Sequence, residues 1–358
     1  MREVRGVWIP EGRHCAVLTT KTGIEQALDA LQERGFNVVF PAVWNRGLTA
    51  FPSAVMRRHG FAVQDPLYAG FDPLGELTQA ATKRGIAVIP WFEYGFASSP
   101  EGDGGDILRA KPHWAARTPE GALCRHGSLV WMNALLPEVQ AFLIELILEV
   151  VRHYPVSGIQ GDDRLPAMPR QSGYDRFSQQ LYREATGVSS PPPISDATWT
   201  AFRSTQLTLF LTRLRRAIKT QKPECLISMA PAPMPHGKRE LMQESHLWLQ
   251  AGLIDWLHPQ IYRTTARSYR RALQSMLPHW PRELRAKVAP GLALVCQQAP
   301  VSERDLQSMR AENRRAGLAG EVVFHYGLLE DQRMSSPLLP RRALPATALW
   351  RSLFPPFG

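Results

Sequence analysis

The chain has 358 residues, of which 44% are apolar and 21% are charged, proportions that are typical of a soluble globular protein. The formal charge of +10 is spread along the sequence, so it predicts a solvated basic surface rather than a nucleic-acid site. No stretch of about 18 apolar residues is present, which argues against a membrane-spanning helix.

The cysteines and the N-terminus give two further expectations. The four cysteines form no CxxC pair, which argues against a zinc knuckle. The first residues show no basic-then-apolar signal pattern. We therefore expect a cytoplasmic protein as numbered, or an exported one if a leader was removed.

Short apolar runs alternate with amphipathic segments along the chain. The predicted strands cover residues 4–9, 38–44, 86–92, 158–163, 225–230, 254–262, 287–295 and 320–326. The predicted helices include residues 22–34, 71–85, 135–152, 174–185, 199–219, 240–252, 268–277, 302–316 and 344–354. Long connections are expected after strands three and four, the first over residues 97–127.

This alternation predicts a parallel sheet, and eight repeats over this length predict a (β/α)8 TIM barrel. We expect one domain over residues 1–358, with a closing helix and tail over residues 341–358. An open doubly wound sheet would need a glycine-rich phosphate turn after an early strand, and the sequence has none.

The fourth predicted strand ends in two adjacent carboxylates, within the segment Gly158-Ile159-Gln160-Gly161-Asp162-Asp163-Arg164. Neighbouring side chains on a strand point to opposite faces. Asp162 and Asp163 can therefore serve one site only where the strand ends and the chain turns out, which is the geometry at the mouth of a parallel barrel.

Aromatic, amide and carboxylate side chains recur at one end of nearly every predicted strand. The candidate catalytic residues are Asp163, Asp162 and Glu93. The candidate substrate-binding residues are Trp8, Trp44, Asn45, Arg46, Trp91, Tyr94, Asn133, Arg164, His258, Gln260, Tyr262, His325 and Tyr326. Sugar rings stack on aromatic side chains, and carboxyl groups carry out glycoside hydrolysis, so the set predicts a carbohydrate site.

Simpler interpretations stay open for single residues. A lone tryptophan is as readily a core residue, and Glu93 as readily a salt-bridged structural acid. His258 and His325 are as readily hydrogen-bonding wall residues, and a metal site formed by them with Asp163 has unspecific spacing. We expect neither a metal nor a cofactor.

An ordered set of motifs resembles the family-10-like glycosyl hydrolases, a bacterial group related to an enzyme that cleaves peptide-free peptidoglycan glycans. The matching pieces are Arg5-Gly6-Val7-Trp8, Asn37-Val38-Val39-Phe40-Pro41-Ala42-Val43-Trp44-Asn45-Arg46-Gly47, Pro52-Ser53, Phe71-Asp72-Pro73-Leu74, Pro90-Trp91-Phe92-Glu93-Tyr94-Gly95, Trp131-Met132-Asn133, Pro137-Glu138-Val139, the strand-four segment, Pro259-Gln260-Ile261-Tyr262-Arg263 and Gly317-Leu318-Ala319-Gly320.

The resemblance implies a barrel whose site surrounds the strand-four aspartates. It also implies a glycosidase that cleaves an O-glycosidic bond in a bacterial polysaccharide, such as peptidoglycan or another glycan containing N-acetylhexosamine. Two residues depart from the family pattern. Gly161 stands where an aromatic is usual, which suggests open space beside the aspartates, and His258 replaces an aliphatic residue or Asn.

Two mechanisms fit these residues. Asp163 and Glu93 form a conventional acid and base pair in the first. In the second, which we favour, the substrate's own acetamido group is the nucleophile, Asp162 orients it, Asp163 protonates the leaving oxygen and Tyr262 assists. The rival hypothesis is a non-catalytic glycan-binding barrel. Nucleic-acid binding has only the net charge in its favour.

Overall fold

The computed structural model describes residues 3–188 and 192–330, and within them eight strands pair in parallel. In chain order these strands are β1 Val4–Ile9, β2 Val38–Pro41, β3 Ala87–Val88, β4 Gly158–Asp162, β5 Leu226–Ala230, β6 Trp256–Leu257, β7 Gly291–Ala293 and β8 Gly320–Phe324. Shorter antiparallel strands lie in the loops, at Trp44–Asn45, Leu48–Thr49, Ala97–Ser99, Arg125–His126, Leu129–Trp131, Val295–Cys296 and Ala299–Pro300.

Helices follow the parallel strands and give the chain an α/β architecture. They are α1 Lys21–Glu33, α2 Ala54–Arg58, α3 Pro73–Lys83, α4 Gly105–Ala110, α5 Pro137–His153, α6 Arg176–Thr186, α7 Ala197–Gln221, α8 His236–Leu241, α9 Ser245–Gln250, α10 Ala266–Met276, α11 Glu303–Arg315 and α12 Gly327–Glu330. In the described part of the chain, no helix has the length and apolarity needed to cross a membrane.

The parallel strands form two sheets whose edges are joined by further backbone contacts. One sheet has the order β7-β8-β1-β2-β3, and the other has the order β6-β5-β4. Between β3 and β4, the amide of Phe92 donates to the carbonyl of Gln160 (2.9 Å). Between β6 and β7, the amide of Ala289 donates to the carbonyl of Leu257 (2.9 Å). The strands therefore neighbour one another in chain order.

Apolar side chains pack on both faces of these strands, which is why the strand sequences are nearly continuous apolar runs. One layer lies between strands and helices; α1, for example, contributes Ile24 and Leu28 to it. The other layer includes Trp8 and Trp91, together with Phe40. Trp8 lies near the carboxyl end of β1 and Trp91 lies three residues beyond β3, so both lie at the carboxyl-terminal edge of the sheet.

Several elements differ from the sequence prediction. The second strand ends at Pro41, and Trp44 starts a separate hairpin. The predicted loop over residues 97–127 contains α4 and short strands. The predicted helix over residues 240–252 is instead the pair α8 and α9, because Met242 has a left-handed backbone (φ 59°) that ends α8. The predicted closing helix over residues 344–354 and the tail over residues 341–358 lie outside the described residues.

Candidate active site

A pocket of about 170 Å³ opens at the carboxyl ends of the parallel strands. Its wall combines aromatic rings with three carboxyl groups and one guanidinium. The lining residues are Trp8, Trp91, Glu93, Asp162, Asp163, Arg164, Ala230, Gln260, Tyr262 and Phe324. The pocket is smaller than the roughly 300–1,000 Å³ of a drug-sized ligand site, so it suits a single small ring.

Arg164 is the centre of the charged part of the pocket. One of its terminal nitrogens lies 2.8 Å from Oδ2 of Asp162, 3.5 Å from Oδ1 of Asp163 and 3.7 Å from Oε1 of Glu93. Its Nε also donates to the backbone carbonyl of Glu93 (2.6 Å). One cation thus faces three carboxyl groups, and the guanidinium ties the ends of β3 and β4 together.

The same contacts limit how far apart Glu93 and Asp163 lie. Because both carboxyl oxygens approach the same nitrogen, at 3.7 and 3.5 Å, the separation of these oxygens is at most the sum of the two distances. The oxygens are therefore at most about 7 Å apart. This limit allows the carboxyl separation of roughly 5–5.5 Å that is typical of retaining glycosidases, and it also allows the lower end of the range for inverting ones, about 6.5 Å.

The loop after β3 passes close to the loop after β4, and Gly95 permits this approach. A Cβ at Gly95 would lie 2.2 Å from the carbonyl oxygen of Arg164, and the backbone has φ +48°. The amide of Phe96 donates to that same carbonyl (2.9 Å). The Glu93-Tyr94-Gly95 turn therefore fixes where Arg164, and with it Asp163, stands.

The three carboxyl groups differ in exposure. The side chain of Asp162 is 1% exposed, that of Glu93 is 18% exposed and that of Asp163 is 30% exposed. Asp162 accepts hydrogen bonds from the indole of Trp91 (3.0 Å) and from the backbone amide of Arg164 (2.8 Å). Oδ1 of Asp163 is buried and faces Arg164, so the exposed part of this side chain lies away from that oxygen. Asp163 is therefore the carboxyl group that is freest to meet a bound molecule.

Burial also changes the protonation of two of these groups. Burial raises the pKa of the Glu93 carboxyl, while Arg164 and the hydrogen bond from Asn45 oppose the rise. Burial raises the pKa of Asp162 well above its ordinary value against the charge of Arg164, and Asp163 adds to the rise. A raised carboxyl pKa favours the protonated form, which is the form that a general acid needs.

Aromatic side chains form the floor and one wall of the pocket. The indole of Trp8 donates to Oε1 of Gln160 (2.6 Å), and Gln160 in turn donates to Ser228 (2.9 Å). On the wall, the rings of Tyr262 and Phe324 stack with centroids 5.2 Å apart. This wall offers flat apolar faces to a ligand, and the buried hydrogen bonds hold the floor in place.

All of the lining residues except Ala230 and Phe324 were among the predicted site residues. Phe324 was missed because the prediction selected His325, the residue that follows β8. In the structure Phe324 lines the pocket and His325 does not. Gln160 was also missed, although it stands inside the strand-four motif.

Some predicted binding residues hold the scaffold instead of lining the pocket. Trp44 is fully buried against Phe142, with its indole donating to the carbonyl of Gly95 (3.0 Å). Asn133 is buried and accepts from the amide of Leu135 (2.9 Å). These two residues position loops that surround the site.

The histidines also lie away from the pocket wall. His258 is buried, its Nδ1 contacts the carbonyl of Ala289 (2.8 Å), and burial lowers its pKa to about 4. Burial likewise lowers the pKa of His325 to about 4. Within residues 3–188 and 192–330, no three His, Cys, Asp or Glu side chains are grouped as metal ligands would be.

The remaining predicted residues lie around the pocket. Asn45 donates to Oε2 of Glu93 (2.6 Å), and the ring of Tyr94 lies 5.6 Å from the guanidinium carbon of Arg164. Arg46 is exposed at the tip of the hairpin that contains Asn45. Tyr326 is buried behind β8, where its amide donates to the carbonyl of Trp8 (2.9 Å).

The expectation for Gly161 needs correction. A Cβ at Gly161 would lie 2.2 Å from the carbonyl oxygen of Leu165 and 2.8 Å from the sulfur of Met229. The missing side chain therefore makes room for the turning chain rather than for a ligand. The side-chain amide of Gln243 donates to the backbone carbonyl of Asp162 (2.8 Å) and supports the same turn. The sequence did not indicate Gln243.

Solved structures of glycoside hydrolases with TIM-barrel-type folds share this architecture. The PgaB (BpsB) glycoside hydrolase domain from Bordetella bronchiseptica is similar with a TM-score of 0.71 and 14% identity, over 99% of each chain. Alpha-L-fucosidase isoenzyme 2 from Paenibacillus thiaminolyticus is similar with a TM-score of 0.67 and 17% identity, over 99% of this chain and 49% of that one. At such identities the likeness establishes the class of fold.

Comparison of sequences is more specific. The chain belongs to the glycosyl hydrolase-like 10 family, whose profile matches residues 3–295, and the resemblance drawn from the motifs is thereby confirmed. It is 28% identical to glycosyl hydrolase DigH of Escherichia coli O6:H1 over an alignment of 270 residues that covers 68% of this chain and 58% of DigH. It is 24% identical to glycosyl hydrolase YngK of Bacillus subtilis over an alignment of 308 residues that covers 78% of this chain and 57% of YngK. The matched part is thus little more than half of each relative.

Proposed function

We propose that the protein is a glycosidase that hydrolyses an O-glycosidic bond in a bacterial polysaccharide. The observation that carries the proposal is the group of three carboxyls around Arg164 in an aromatic-lined pocket. Carboxyl groups supply acid, base and charge stabilisation for an oxocarbenium-like transition state. Membership of the glycosyl hydrolase-like 10 family supports the same reaction class.

We further propose that the two sheets close into one (β/α)8 barrel. Backbone hydrogen bonds span both seams: the amide of Gln160 donates to the carbonyl of Pro90 (2.8 Å), and the amide of Gly291 donates to the carbonyl of Pro259 (2.9 Å). Closure would explain why residues from β1, β3, β4, β6 and β8 meet in a single pocket, as in other barrel enzymes.

Asp163 is the proposed general acid. It is the most exposed of the three carboxyl groups, with 30% of its side chain exposed, so a leaving-group oxygen can approach it more easily than it can approach Asp162 or Glu93. Three carboxyls share one cation, and mutual repulsion disfavours ionising all of them together. In this proposal Asp163 passes the proton to the leaving oxygen, since it is the member of the group that is most exposed to a ligand.

We favour substrate-assisted catalysis on an N-acetylhexosamine glycan such as peptidoglycan. The acetamido oxygen of the sugar attacks the anomeric carbon, so the enzyme needs only an orienting group and an acid. Asp162 suits orientation because Trp91 and Arg164 hold it rigidly. Tyr262 contributes a wall for the acetamido group, and burial keeps its phenol protonated by raising its pKa well above 10.

The conventional mechanism gives the second role to Glu93. Its carboxyl is partly exposed and lies within about 7 Å of Asp163, which allows direct attack on the anomeric carbon or activation of water. A thiazoline analogue of N-acetylglucosamine separates the mechanisms because it mimics the cyclic intermediate of the assisted reaction. Competitive inhibition supports assistance, whereas its absence in an active enzyme assigns the second role to Glu93.

The proposed reaction is tested with a panel of glycans. The purified protein is incubated with peptide-free peptidoglycan strands, chitin oligosaccharides and α-glucans, and the products are read by mass spectrometry. We expect cleavage of the first and a fall of roughly 10²–10⁴-fold in the Asp163→Asn variant, the usual contribution of a general acid.

Asp255→Asn is the matched control for this panel. Asp255 is 26% exposed and pairs with Lys219 (3.2 Å), so it resembles Asp163 in exposure and in having a cationic neighbour. Unlike Asp163, it precedes its strand, β6, and so lies at the opposite end of the strands from the pocket. The control variant should keep full activity. Folded protein that binds these glycans but cleaves none of them would instead identify a non-catalytic glycan-binding protein.

A further inference from the structure

The hairpin after β2 places an arginine where the backbone disfavours one. Asn45 pairs with Leu48, so Arg46 and Gly47 are the two central residues of the turn. Both have positive φ, 55° for Arg46 and 76° for Gly47, the pattern of a type I′ turn. Such turns favour Asn-Gly, because asparagine tolerates this conformation better than residues with long side chains. Backbone strain of this kind often accompanies function.

This hairpin lies against the charged part of the pocket. Asn45 donates to Oε2 of Glu93 (2.6 Å), and the amide of Tyr94 donates to the carbonyl of Trp44 (3.1 Å). Burial raises the pKa of Tyr94, and Arg46 is close enough to oppose that rise. Arg46 follows Asn45 in the chain and therefore lies at the edge of the charged part of the pocket.

Arg46 differs from the other cations of this region in having no counter-charge. Arg13 pairs with Asp65 (2.6 Å), and Arg164 pairs with the pocket carboxyls. The Arg46 side chain is exposed, and among residues 3–188 and 192–330 no carboxylate or carbonyl contacts its guanidinium. It is thus free to bind an anion brought by the ligand.

We propose that Arg46 is a specificity-determining residue that binds a carboxylate on the glycan, on a sugar next to the one in the pocket. The proposal rests on the proposed glycosidase function. A guanidinium fork matches a carboxylate in a bidentate fashion, which an ammonium group does not. The carboxylate could belong to the lactyl ether of a muramic acid or to a uronic acid, since both present the same group.

The test compares variants on matched probes. The variants are Arg46→Asn, which relieves the backbone strain, and Arg46→Lys, which keeps the charge. Arg216→Gln, at an exposed arginine on α7, is the control for net charge. The probes are peptide-free peptidoglycan strands, the same strands with their carboxyls amidated, and hyaluronan oligosaccharides. Binding by affinity electrophoresis is measured beside KM and kcat.

For Arg46→Asn we expect KM on the untreated strands to rise about 10–100-fold, the value of a lost charged hydrogen bond, with kcat nearly unchanged. On the amidated strands, Arg46→Asn and the wild type should have the same KM. On the untreated strands, Arg46→Lys should recover part of the loss. The melting temperature of Arg46→Asn should rise by about 2 °C as the strain is relieved. A similar rise in the KM of Arg46→Asn on hyaluronan oligosaccharides would show that Arg46 binds a uronic acid carboxylate as well as a lactyl carboxylate.

Equal losses on untreated and amidated strands would overturn the proposal, as would a lowered melting temperature in Arg46→Asn. If the wild type cleaves none of the probes, the glycosidase function fails. Affinity electrophoresis then tests the role of Arg46 separately. Selective retention of the wild type by untreated strands, together with loss of this retention in Arg46→Asn, would still support the role. Equal retention of the two proteins would refute it.

Discussion

Replacing Arg164 by methionine removes the only cation that lies among the three pocket carboxyls of the described structure. The change deletes contacts of 2.8 Å to Asp162 and 3.7 Å to Glu93, and it leaves these groups buried without a counter-charge. Breaking a buried ion pair from one side costs about 3–5 kcal/mol. At about 2 °C per kcal/mol for a chain of this size, the melting temperature at pH 7 should fall by roughly 6–10 °C.

The loss should depend on pH in a defined direction. Burial already raises the pKa values of Glu93 and Asp162, and removing Arg164 raises them further. A carboxyl whose folded pKa lies above its unfolded value, near 4, stabilises the fold at low pH and loses that contribution as the pH rises through the folded pKa. The variant should therefore be closer to wild type at pH 5 than at pH 8.

Arg310→Met is the matched control, and thermal unfolding from pH 5 to pH 8 is the assay. Arg310 pairs with the buried Glu321 (2.6 Å), which is the second residue of β8 and does not line the pocket. Its loss should destabilise the protein to a similar degree but leave the rate per folded molecule intact, whereas Arg164→Met should abolish turnover. Equal destabilisation by Arg164→Met at pH 5 and pH 8 would refute the electrostatic reasoning.

Three further substitutions test neighbouring contacts. Asn45→Ala removes a hydrogen bond that opposes the rise in the pKa of Glu93. The part of the pH profile of kcat/KM that reports ionisation of Glu93 should therefore move to higher pH. A profile that does not move would contradict this. Gly161→Ala would put a Cβ 2.2 Å from the carbonyl of Leu165, so we expect a loss of about 1–3 kcal/mol in denaturant unfolding. Unchanged stability would show that the turn adjusts freely. Tyr262→Phe removes the hydroxyl that we propose as a hydrogen-bond donor to the acetamido oxygen, so kcat should fall about 10²–10³-fold at constant stability, and an unchanged kcat would remove this hydroxyl from the mechanism.

The general architecture was predictable because it depends on periodicity. Buried parallel strands are short apolar runs, and amphipathic helices repeat at 3.6 residues, so both signals are local. Helix α11 illustrates this: the sequence predicts a helix over residues 302–316, and the structure has one at Glu303–Arg315. The ends of strands were less predictable, since apolar residues such as Trp44 continue past Pro41 into a hairpin.

The pocket was predictable only in part, because strand-end residues divide between the pocket and the scaffold. Asp162, Asp163 and Glu93 do meet in one pocket. Trp44 has the same residue type as the lining residues Trp8 and Trp91 but is buried in the core, and no local signal distinguishes it from them. Which residue faces inward depends on where each strand turns, and that depends on packing between distant segments.

The central claim is that Asp163 donates a proton to a departing glycosidic oxygen. The most direct measurement compares wild type and Asp163→Asn on a natural glycan, whose leaving group needs that proton, and on an aryl N-acetylhexosaminide whose leaving group does not. We predict a rate loss of roughly 10²–10⁴-fold on the glycan and a much smaller loss on the aryl substrate. Equal losses on the two substrates, or no turnover of either by the wild type, would contradict it.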